Sequence, residues 1–133
     1  MSNSEMRAFY QRYVAAANTR DFQFIASIFA EDVSVNGVQV KRADVIAGLT
    51  WLVDAVPDLV WHLDDLVVED DRLAAKLRDK GTPTKEFLGF APNGAQIEFA
   101  EYTHYKVKAG LFVEMWYMLD TAEIAKQLNA STA

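Results

Sequence analysis

The stretch Val113-Glu114-Met115-Trp116-Tyr117-Met118-Leu119-Asp120 decides how the fold is interpreted, because an apolar and aromatic run ends there in a carboxylate. A run this apolar predicts a late strand that is buried on both faces. Burying an ionised carboxylate is costly unless it is paired, hydrogen-bonded or protonated. Asp120 is therefore predicted either to cap the amphipathic segment Thr121 to Leu128 or to lie in a cavity that disfavours its charge. Glu123 fits the capping alternative, since it follows Asp120 by three residues.

The composition limits the classes of protein that the chain can belong to. A chain of 133 residues with 51% apolar content predicts one domain, spanning 1–133, with a substantial core. The net charge of −6 and the scattered basic residues argue against nucleic acid or an anionic membrane as a partner. The absence of cysteine excludes disulfides, thiolate metal sites and thiol catalysis. The two histidines, His62 and His104, are too few to favour a zinc site, so no metal site is predicted.

The N-terminal segment, Met1 to Glu5, lacks the basic start and apolar run of a signal peptide. No apolar stretch approaches the roughly 20 residues that span a bilayer. The sequence therefore predicts a soluble protein in the cytoplasm.

The order of the predicted elements indicates the fold class. Helical spacing of apolar residues begins at Ser4, and Asp21 is placed to cap a second, short helix. Asn36-Gly37 predicts a tight hairpin, and Ala43 to Val56 predicts a third helix. From Leu59 to Leu119 the apolar period changes to two, which indicates strands. Helices followed by antiparallel strands predict an α+β fold, in which helices pack on one face of a curved sheet that leaves a mouth for a ligand.

Hairpin register predicts which side chains share a face. A two-residue turn at Asp70-Asp71 places His62 opposite Asp79, at the far end of a face that is apolar near the turn. A core face that becomes polar at one end is typical of a pocket mouth. The alternative is a fraying hairpin end whose polar groups contact water. A one-residue change in the register would exchange the two faces.

The second hairpin is predicted to turn at Ala109-Gly110. This register places Asp120 opposite Phe99 and diagonal to Glu101, at roughly 7–8 Å between Cα atoms. Two carboxylates in an apolar setting resist double ionisation, which suits a general acid/base. The alternative is that Glu101 pairs with a nearby lysine. The residues predicted to share the face of Asp120 are Phe99, Glu101, Thr103, Tyr105, Trp116 and Met118, whereas His104 is predicted on the outer face.

Motifs spread over Met6 to Leu128 resemble the SnoaL-like polyketide cyclases of the nuclear-transport-factor-2-like superfamily. The stretches that carry this resemblance are Ala17–Phe22, Phe29–Val33, Val56–Leu59, Gly81–Gly94, Ile97–Phe99, the turn at Gly110, and Glu114–Trp116 followed by Asp120.

The resemblance implies a cone-shaped α+β barrel, in which three N-terminal helices pack on a strongly curved, mostly antiparallel sheet. It also implies a homodimer through the outer face of the sheet. Asp120 matches the family's aspartate at the end of the last long strand, which is the acid/base of an intramolecular aldol closure. Such a reaction requires no metal or cofactor, because a base removes the proton beside a carbonyl and the pocket stabilises the enolate.

The chain departs from the family pattern at one position. Many relatives have Gly-Thr-His where this chain has Gly81-Thr82-Pro83, so another residue must supply any imidazole. The fold also hosts isomerases, dehydratases, epoxide hydrolases and binding proteins. The epoxide hydrolase pattern places Asp and Arg two residues apart on one strand. Arg78 and Asp79 are adjacent instead, which argues against that activity.

The leading prediction is a cofactor-independent enzyme that acts on a small, apolar or aromatic compound with an enolisable carbonyl. Asp120 is the predicted acid/base, and Glu101 or the pair His62–Asp79 is predicted to tune it or relay protons. The alternatives are an isomerase or dehydratase on the same scaffold, or a non-catalytic binding or dimerisation module in which Asp120 is a helix cap. The residues predicted to bind the substrate are Tyr13, Trp51, Phe99, Thr103, Trp116 and Met118.

Overall fold

The computed structural model describes residues 1–129, which form four helices and a six-stranded sheet. In chain order the elements are α1 (Asn3–Thr19), α2 (Phe22–Ser27), β1 (Phe29–Val35), β2 (Val38–Lys41), α3 (Arg42–Ala55), β3 (Val60–Glu69), β4 (Arg72–Gly81), β5 (Ile97–Lys108), β6 (Leu111–Leu119) and α4 (Thr121–Asn129). The predicted α+β class with helices before strands is confirmed. None of the helices in residues 1–129 is both long and apolar enough to cross a membrane.

The strands follow the order β2-β1-β6-β5-β4-β3. All neighbours are antiparallel except β1 and β6, which are parallel. The sheet is therefore mixed and mostly antiparallel, and it stays open, with β2 and β3 at its edges. The mainly antiparallel sheet agrees with the prediction, whereas a closed barrel does not form.

Local sequence signals account for the helix and turn boundaries. Ser2 and Glu5 form a capping box at the start of α1, since each side chain bonds the backbone N–H of the other. Asp21 caps α2 by accepting the N–H of Phe24, as predicted. Asn36 and Gly37 both have positive φ, which the tight hairpin between β1 and β2 requires.

Helices α1 and α4 cover the inner face of the sheet. Helix α1 contributes a buried stripe at helical spacing, and α4 contributes Ile124 and Leu128. The side-chain amide of Asn18 bonds both the N–H and the C=O of Trp61, which ties the end of α1 to β3. The inner side of the sheet is therefore the face on which any enclosed site must lie.

An extra residue in β3 overturns one predicted pairing. From Glu69 opposite Arg72 as far as Asp65 opposite Lys76, the register agrees with the prediction. Asp64 is then inserted between Leu63 and Asp65, and the register shifts by one. Trp61, not His62, lies opposite Asp79, and His62 lies opposite Arg78. The predicted pair His62–Asp79 is wrong. Beyond the bulge, toward the start of β3, every side chain lies on the opposite face from the one predicted.

A second bulge changes the faces of β6. Val107 lies opposite Phe112, as predicted, but the next pair is Lys106 with Glu114, which leaves Val113 as the extra residue. Beyond it, His104 faces Trp116 and Tyr102 faces Met118. Trp116 and Met118 therefore lie on the outer face, and their predicted place on the inner face is wrong.

Candidate functional site

The structure encloses a cavity of about 310 Å³ between α1, α3 and the inner face of the sheet. This volume lies at the lower end of the range typical of small-molecule sites. Most of its wall is apolar or aromatic. The lining residues are Tyr10, Tyr13, Val14, Ala17, Val35, Val40, Asp44, Val45, Gly48, Leu49, Trp51, Leu52, Trp61, Leu77, Leu88, Glu101, Tyr105, Met115, Tyr117 and Leu119.

Two carboxyl groups meet at the sheet side of this cavity. Glu101 lines it and is partly buried, whereas Asp79 is 1% exposed and lies on the neighbouring strand. Asp79 Oδ1 has no hydrogen-bond partner within residues 1–129. Burial raises the pKa of Asp79 strongly, and a hydrogen bond to Glu101 and the charge of Glu101 act in the same direction. Asp79 therefore favours its protonated form at this place in the core.

Three buried phenols lie close enough to Glu101 for its charge to affect them. The hydroxyls of Tyr10 and Thr103 are 3.2 Å apart, and the hydroxyl of Tyr105 donates to that of Tyr13 at 3.5 Å. Burial raises the pKa of Tyr13 to about 12 and raises the pKa of Tyr10 and Tyr105 further, and the charge of Glu101 adds to all three shifts. These phenols therefore stay neutral and act as hydrogen-bond donors. Tyr13 lines the cavity, and within residues 1–129 its hydroxyl accepts from Tyr105 and is not found donating to another group.

Asp120 lies at the start of α4 and not at the cavity. Its Oδ1 accepts the N–H of Glu123 at 3.1 Å, its side chain is exposed, and its own N–H donates to the carbonyl oxygen of Ala100 at 3.0 Å. Of the two alternatives for Asp120, the structure shows the helix cap, and its predicted place opposite Phe99 in a cavity is wrong. The reason is the bulge at Val113, which turns Leu119 toward the cavity and the next residue away from it.

The other predicted site residues fall into three groups. Tyr13 and Trp51 line the cavity. Phe99 and Thr103 are buried on the inner face, where Phe99 packs on Phe87 and Thr103 bonds Tyr10, and neither lines the cavity. The residues that lie on the exposed outer face are His62, Trp116 and Met118.

Sequence reasoning missed three aromatic lining residues, Tyr10, Trp61 and Tyr117, and it placed Tyr105 on the inner face without naming it as a binding residue. The signal for Tyr10 was present, because it precedes Tyr13 by three residues on the buried stripe of α1. Trp61 and Tyr117 had no such signal, since each reaches the inner face only through a bulge. Within residues 1–129, no group of three or more His, Cys, Asp or Glu side chains is arranged to hold a metal ion.

The fold and the site together define a small α+β domain that holds a ligand-sized cavity between its helices and a curved sheet. The chain belongs to the SnoaL-like polyketide cyclase family, whose model matches residues 7–128. The predicted family membership is confirmed. No curated protein sequence matches the chain significantly.

Solved structures agree with this assignment. A SnoaL-like polyketide cyclase from Agrobacterium tumefaciens is 27% identical, with a TM-score of 0.85 over 90% of this chain and 94% of that one. TsrD from Streptomyces laurentii is 23% identical, with a TM-score of 0.87 over 98% of both chains. AclR from Streptomyces galilaeus is 24% identical, with a TM-score of 0.85 over 97% of this chain and 98% of that one. The last two likenesses concern the fold alone.

Proposed function

We propose that the protein is a polyketide-cyclase-type enzyme, in which Glu101 is the acid/base that acts on an enolisable carbonyl compound in the cavity. The observation that carries the proposal is the pair Asp79–Glu101 on neighbouring strands, in which Glu101 lines an apolar cavity and Asp79 is buried beside it with a raised pKa. Buried and perturbed carboxyl groups in a cavity are typical of acid/base sites. Family membership favours aldol-type ring closure among the reactions of this kind.

The chemistry follows from the positions of these groups. The Glu101 carboxylate removes the proton beside the substrate carbonyl, and the electron pair of that C–H bond forms an enolate. The hydroxyl of Tyr13 donates to the enolate oxygen, which stabilises its developing charge. The enolate carbon then attacks a second carbonyl of the same molecule and forms the C–C bond. Glu101 returns its proton to the new alkoxide, so that the reaction needs only proton transfers.

Asp79 orients the side chain of Glu101 for this role. Because Asp79 is protonated, it can donate a hydrogen bond to the Glu101 carboxylate, and this fixes the side chain against the cavity wall. A second ionised carboxylate at the same place would instead repel Glu101. Asp79 is therefore a positioning residue in this proposal.

The acid/base role moves from Asp120 to Glu101 for a geometric reason. A general base must lie within hydrogen-bond reach of the proton that it removes. Glu101 lines the cavity, whereas Asp120 is exposed and its carboxylate is engaged with the N–H of Glu123. His62 is exposed on the outer face, so a proton relay through it lacks support.

Two alternatives, an isomerase and a dehydratase, share the first step, which is removal of the proton beside the carbonyl. A third alternative, a non-catalytic binder, omits that step. An isomerase would return the proton to a different carbon, and a dehydratase would expel a hydroxyl group, each from the same enolate. A non-catalytic binder would hold the ligand without removing a proton. Exchange of the proton beside the carbonyl with solvent therefore separates the enzymes from the binder.

The test measures that exchange directly. A panel of aryl ketones and β-diketones is first screened for binding through the fluorescence of Trp51 and Trp61, which line the cavity. Deuterium incorporation beside the carbonyl of each binding compound is then followed by NMR in heavy water. We expect Glu101→Gln to lower the rate by about 10²–10⁴-fold. The control Asp71→Asn, in an exposed turn, should have the rate of the unchanged protein.

Two results would contradict the proposal. Unchanged exchange in Glu101→Gln would remove Glu101 from the reaction. Binding without exchange above the buffer rate throughout the panel would favour the non-catalytic binder.

We also propose that a second copy of the chain binds the outer face of the sheet. Tyr102, Trp116 and Met118 form an exposed patch there, hereafter the outer aromatic patch, with Met118 at 71% exposed. The indole N–H of Trp116 donates to Glu114, which pairs with Arg72, so the ring is held in place. An ordered apolar patch of this kind is typical of an interface.

A further inference from the structure

The segment between β4 and β5, residues 82–96, is attached to a helix near each of its ends. The backbone N–H of Thr84 donates to the carbonyl oxygen of Ala55 at the end of α3, at 2.9 Å. The side-chain amide of Asn93 donates to the carbonyl oxygen of Leu128 in α4, at 2.6 Å. Connections of this length are usually either functional or disordered, and these attachments favour the first.

A tight turn at Leu88-Gly89 lies in the middle of this segment. Phe87 and Phe90 exchange two backbone hydrogen bonds, each 2.9 Å long. Leu88 has a φ of 51° and Gly89 has a φ of 86°, so both central residues have the left-handed conformation that a type I′ turn requires. Glycine adopts this conformation without strain, whereas a bulky residue such as leucine rarely does.

The same backbone pattern elsewhere in the chain shows how unusual leucine is at this position. The pattern recurs at Asn36-Gly37, with φ of 49° and 83°, and at Ala109-Gly110, with φ of 52° and 76°. The first residue of these turns is an asparagine, which tolerates positive φ, or an alanine, which has only a methyl group. The turn itself therefore gives no reason for the leucine at position 88.

Core packing does not account for Leu88 either. Its side chain is 38% exposed, whereas its neighbour Phe87 is fully buried. Phe87 attaches the turn to α3 by stacking on Trp51, with 6.3 Å between the ring centroids. Strained backbone persists where the surrounding structure requires it, and such positions cluster at active sites and ligand clamps.

The contact that remains for Leu88 is with the cavity. Trp51, Leu88 and Tyr117 all line the cavity and are also 51%, 38% and 43% exposed, so they form its mouth. They come from α3, the segment 82–96 and β6. An apolar ligand that fills the cavity up to this mouth would remove the side chain of Leu88 from water, which favours binding.

We propose that Leu88 is a ligand-binding residue that closes over an apolar ligand at the mouth of the cavity, and that this contact is the reason for a leucine at a strained turn position. The inference rests on the proposed function in one respect only, namely that a small apolar compound occupies the cavity. It does not depend on proton removal by Glu101.

The test separates ligand binding from stability. The probe is a propionyl dimethylaminonaphthalene, a neutral aryl ketone whose own fluorescence changes when it leaves water. Leu88→Asn removes the apolar side chain but suits positive φ. We expect it to raise the Kd of the probe by about 3–10-fold, mainly through faster dissociation in stopped-flow runs. The urea midpoint should equal or exceed that of the unchanged protein, because the strain is relieved.

Two further variants serve as controls. Ala109→Asn makes the same kind of change at the matched turn between β5 and β6, whose residues do not line the cavity, so it should leave the Kd unchanged. Leu88→Met keeps both the strain and an apolar side chain of similar volume, so it should keep the Kd within about 2-fold.

The outcomes separate this inference from the proposed function. An unchanged Kd in Leu88→Asn, or no binding of the probe to the unchanged protein, would overturn the inference. A lower urea midpoint together with the higher Kd would also overturn it, since Leu88 would then only pack the fold. The expected Kd values without deuterium exchange of the ketone in the unchanged protein would support the inference and contradict the enzymatic function. Deuterium exchange with equal Kd values in Leu88→Asn and the unchanged protein would do the reverse.

Discussion

Asp79 and Glu101 are diagonal neighbours on the inner face of β4 and β5, where Asp79 lies opposite Phe99 and Glu101 lies opposite Leu77. This arrangement brings two carboxyl groups together among apolar side chains. The carboxyl group of Asp79 is buried, whereas Glu101 lines the cavity. The pair thus joins the core of the protein to its candidate site.

The buried carboxyl of Asp79 should make stability depend on pH. Folding raises the pKa of this carboxyl group above its ordinary value of 3.8. Above about pH 4 the folded state therefore holds a proton that the unfolded state has lost. The free energy of unfolding should therefore fall as pH rises, by up to about 1.4 kcal/mol per pH unit. Asp79→Asn mimics the protonated acid and should remove this dependence on pH. At mildly alkaline pH the substitution should raise the free energy of unfolding by roughly 2–4 kcal/mol.

Urea unfolding at a series of pH values measures this effect. Asp71→Asn, the change of an exposed aspartate, is the matched control and should keep the slope of the unchanged protein. Equal slopes in Asp79→Asn and the unchanged protein would show that Asp79 is ionised in the folded state.

The hydroxyl of Tyr13 is expected to act on the enolate rather than on ligand binding. Tyr13→Phe should lower the deuterium exchange rate of the bound ketone by about 10–10³-fold. The Kd of the ketone should change little, because the ring stays in the wall and only the donor is lost. Tyr102→Phe removes an exposed hydroxyl on the outer face and should change neither quantity. A parallel loss of affinity and exchange in Tyr13→Phe would mean that Tyr13 only shapes the cavity.

Asp120 should affect stability and not exchange. Asp120→Ala removes the cap of α4 and should lower the free energy of unfolding by about 1 kcal/mol. Asp120→Asn should keep most of that stability, since Asn is also a good cap. Both variants should retain the exchange rate. If Asp120→Asn were stable but lost exchange, the acid/base role first predicted for Asp120 would be restored.

The outer aromatic patch should hold two copies of the chain together. Met118→Glu places a charge in the middle of that patch and should convert a dimer into a monomer in sedimentation velocity runs. Ala47→Glu adds the same charge to the exposed side of α3 and should leave the dimer intact. A monomeric unchanged protein, or a dimer that survives Met118→Glu, would exclude this interface.

The sequence by itself determined those features that depend on a few neighbouring residues. The capping of α2 by Asp21 and the hairpin at Asn36-Gly37 follow from local hydrogen bonding and backbone conformation, which nearby side chains control. The strand pairings next to each hairpin turn follow for the same reason, because a tight turn sets the register beside it. The sequence was also sufficient to predict the family and the fold class, and to single out Glu101 and Asp79.

Only the tertiary structure decided which of these residues meet. The bulges at Asp64 and Val113 each insert one residue, and side chains in a strand alternate with a period of two. Each bulge therefore exchanges the inner and outer faces beyond it, which separates His62 from Asp79 and turns Asp120 away from the cavity. Such bulges arise where strands must bend around packed helices, and that packing involves contacts far apart in the chain. A local pattern does not contain them, so the partnership of Asp79 with Glu101 emerges only in the folded protein.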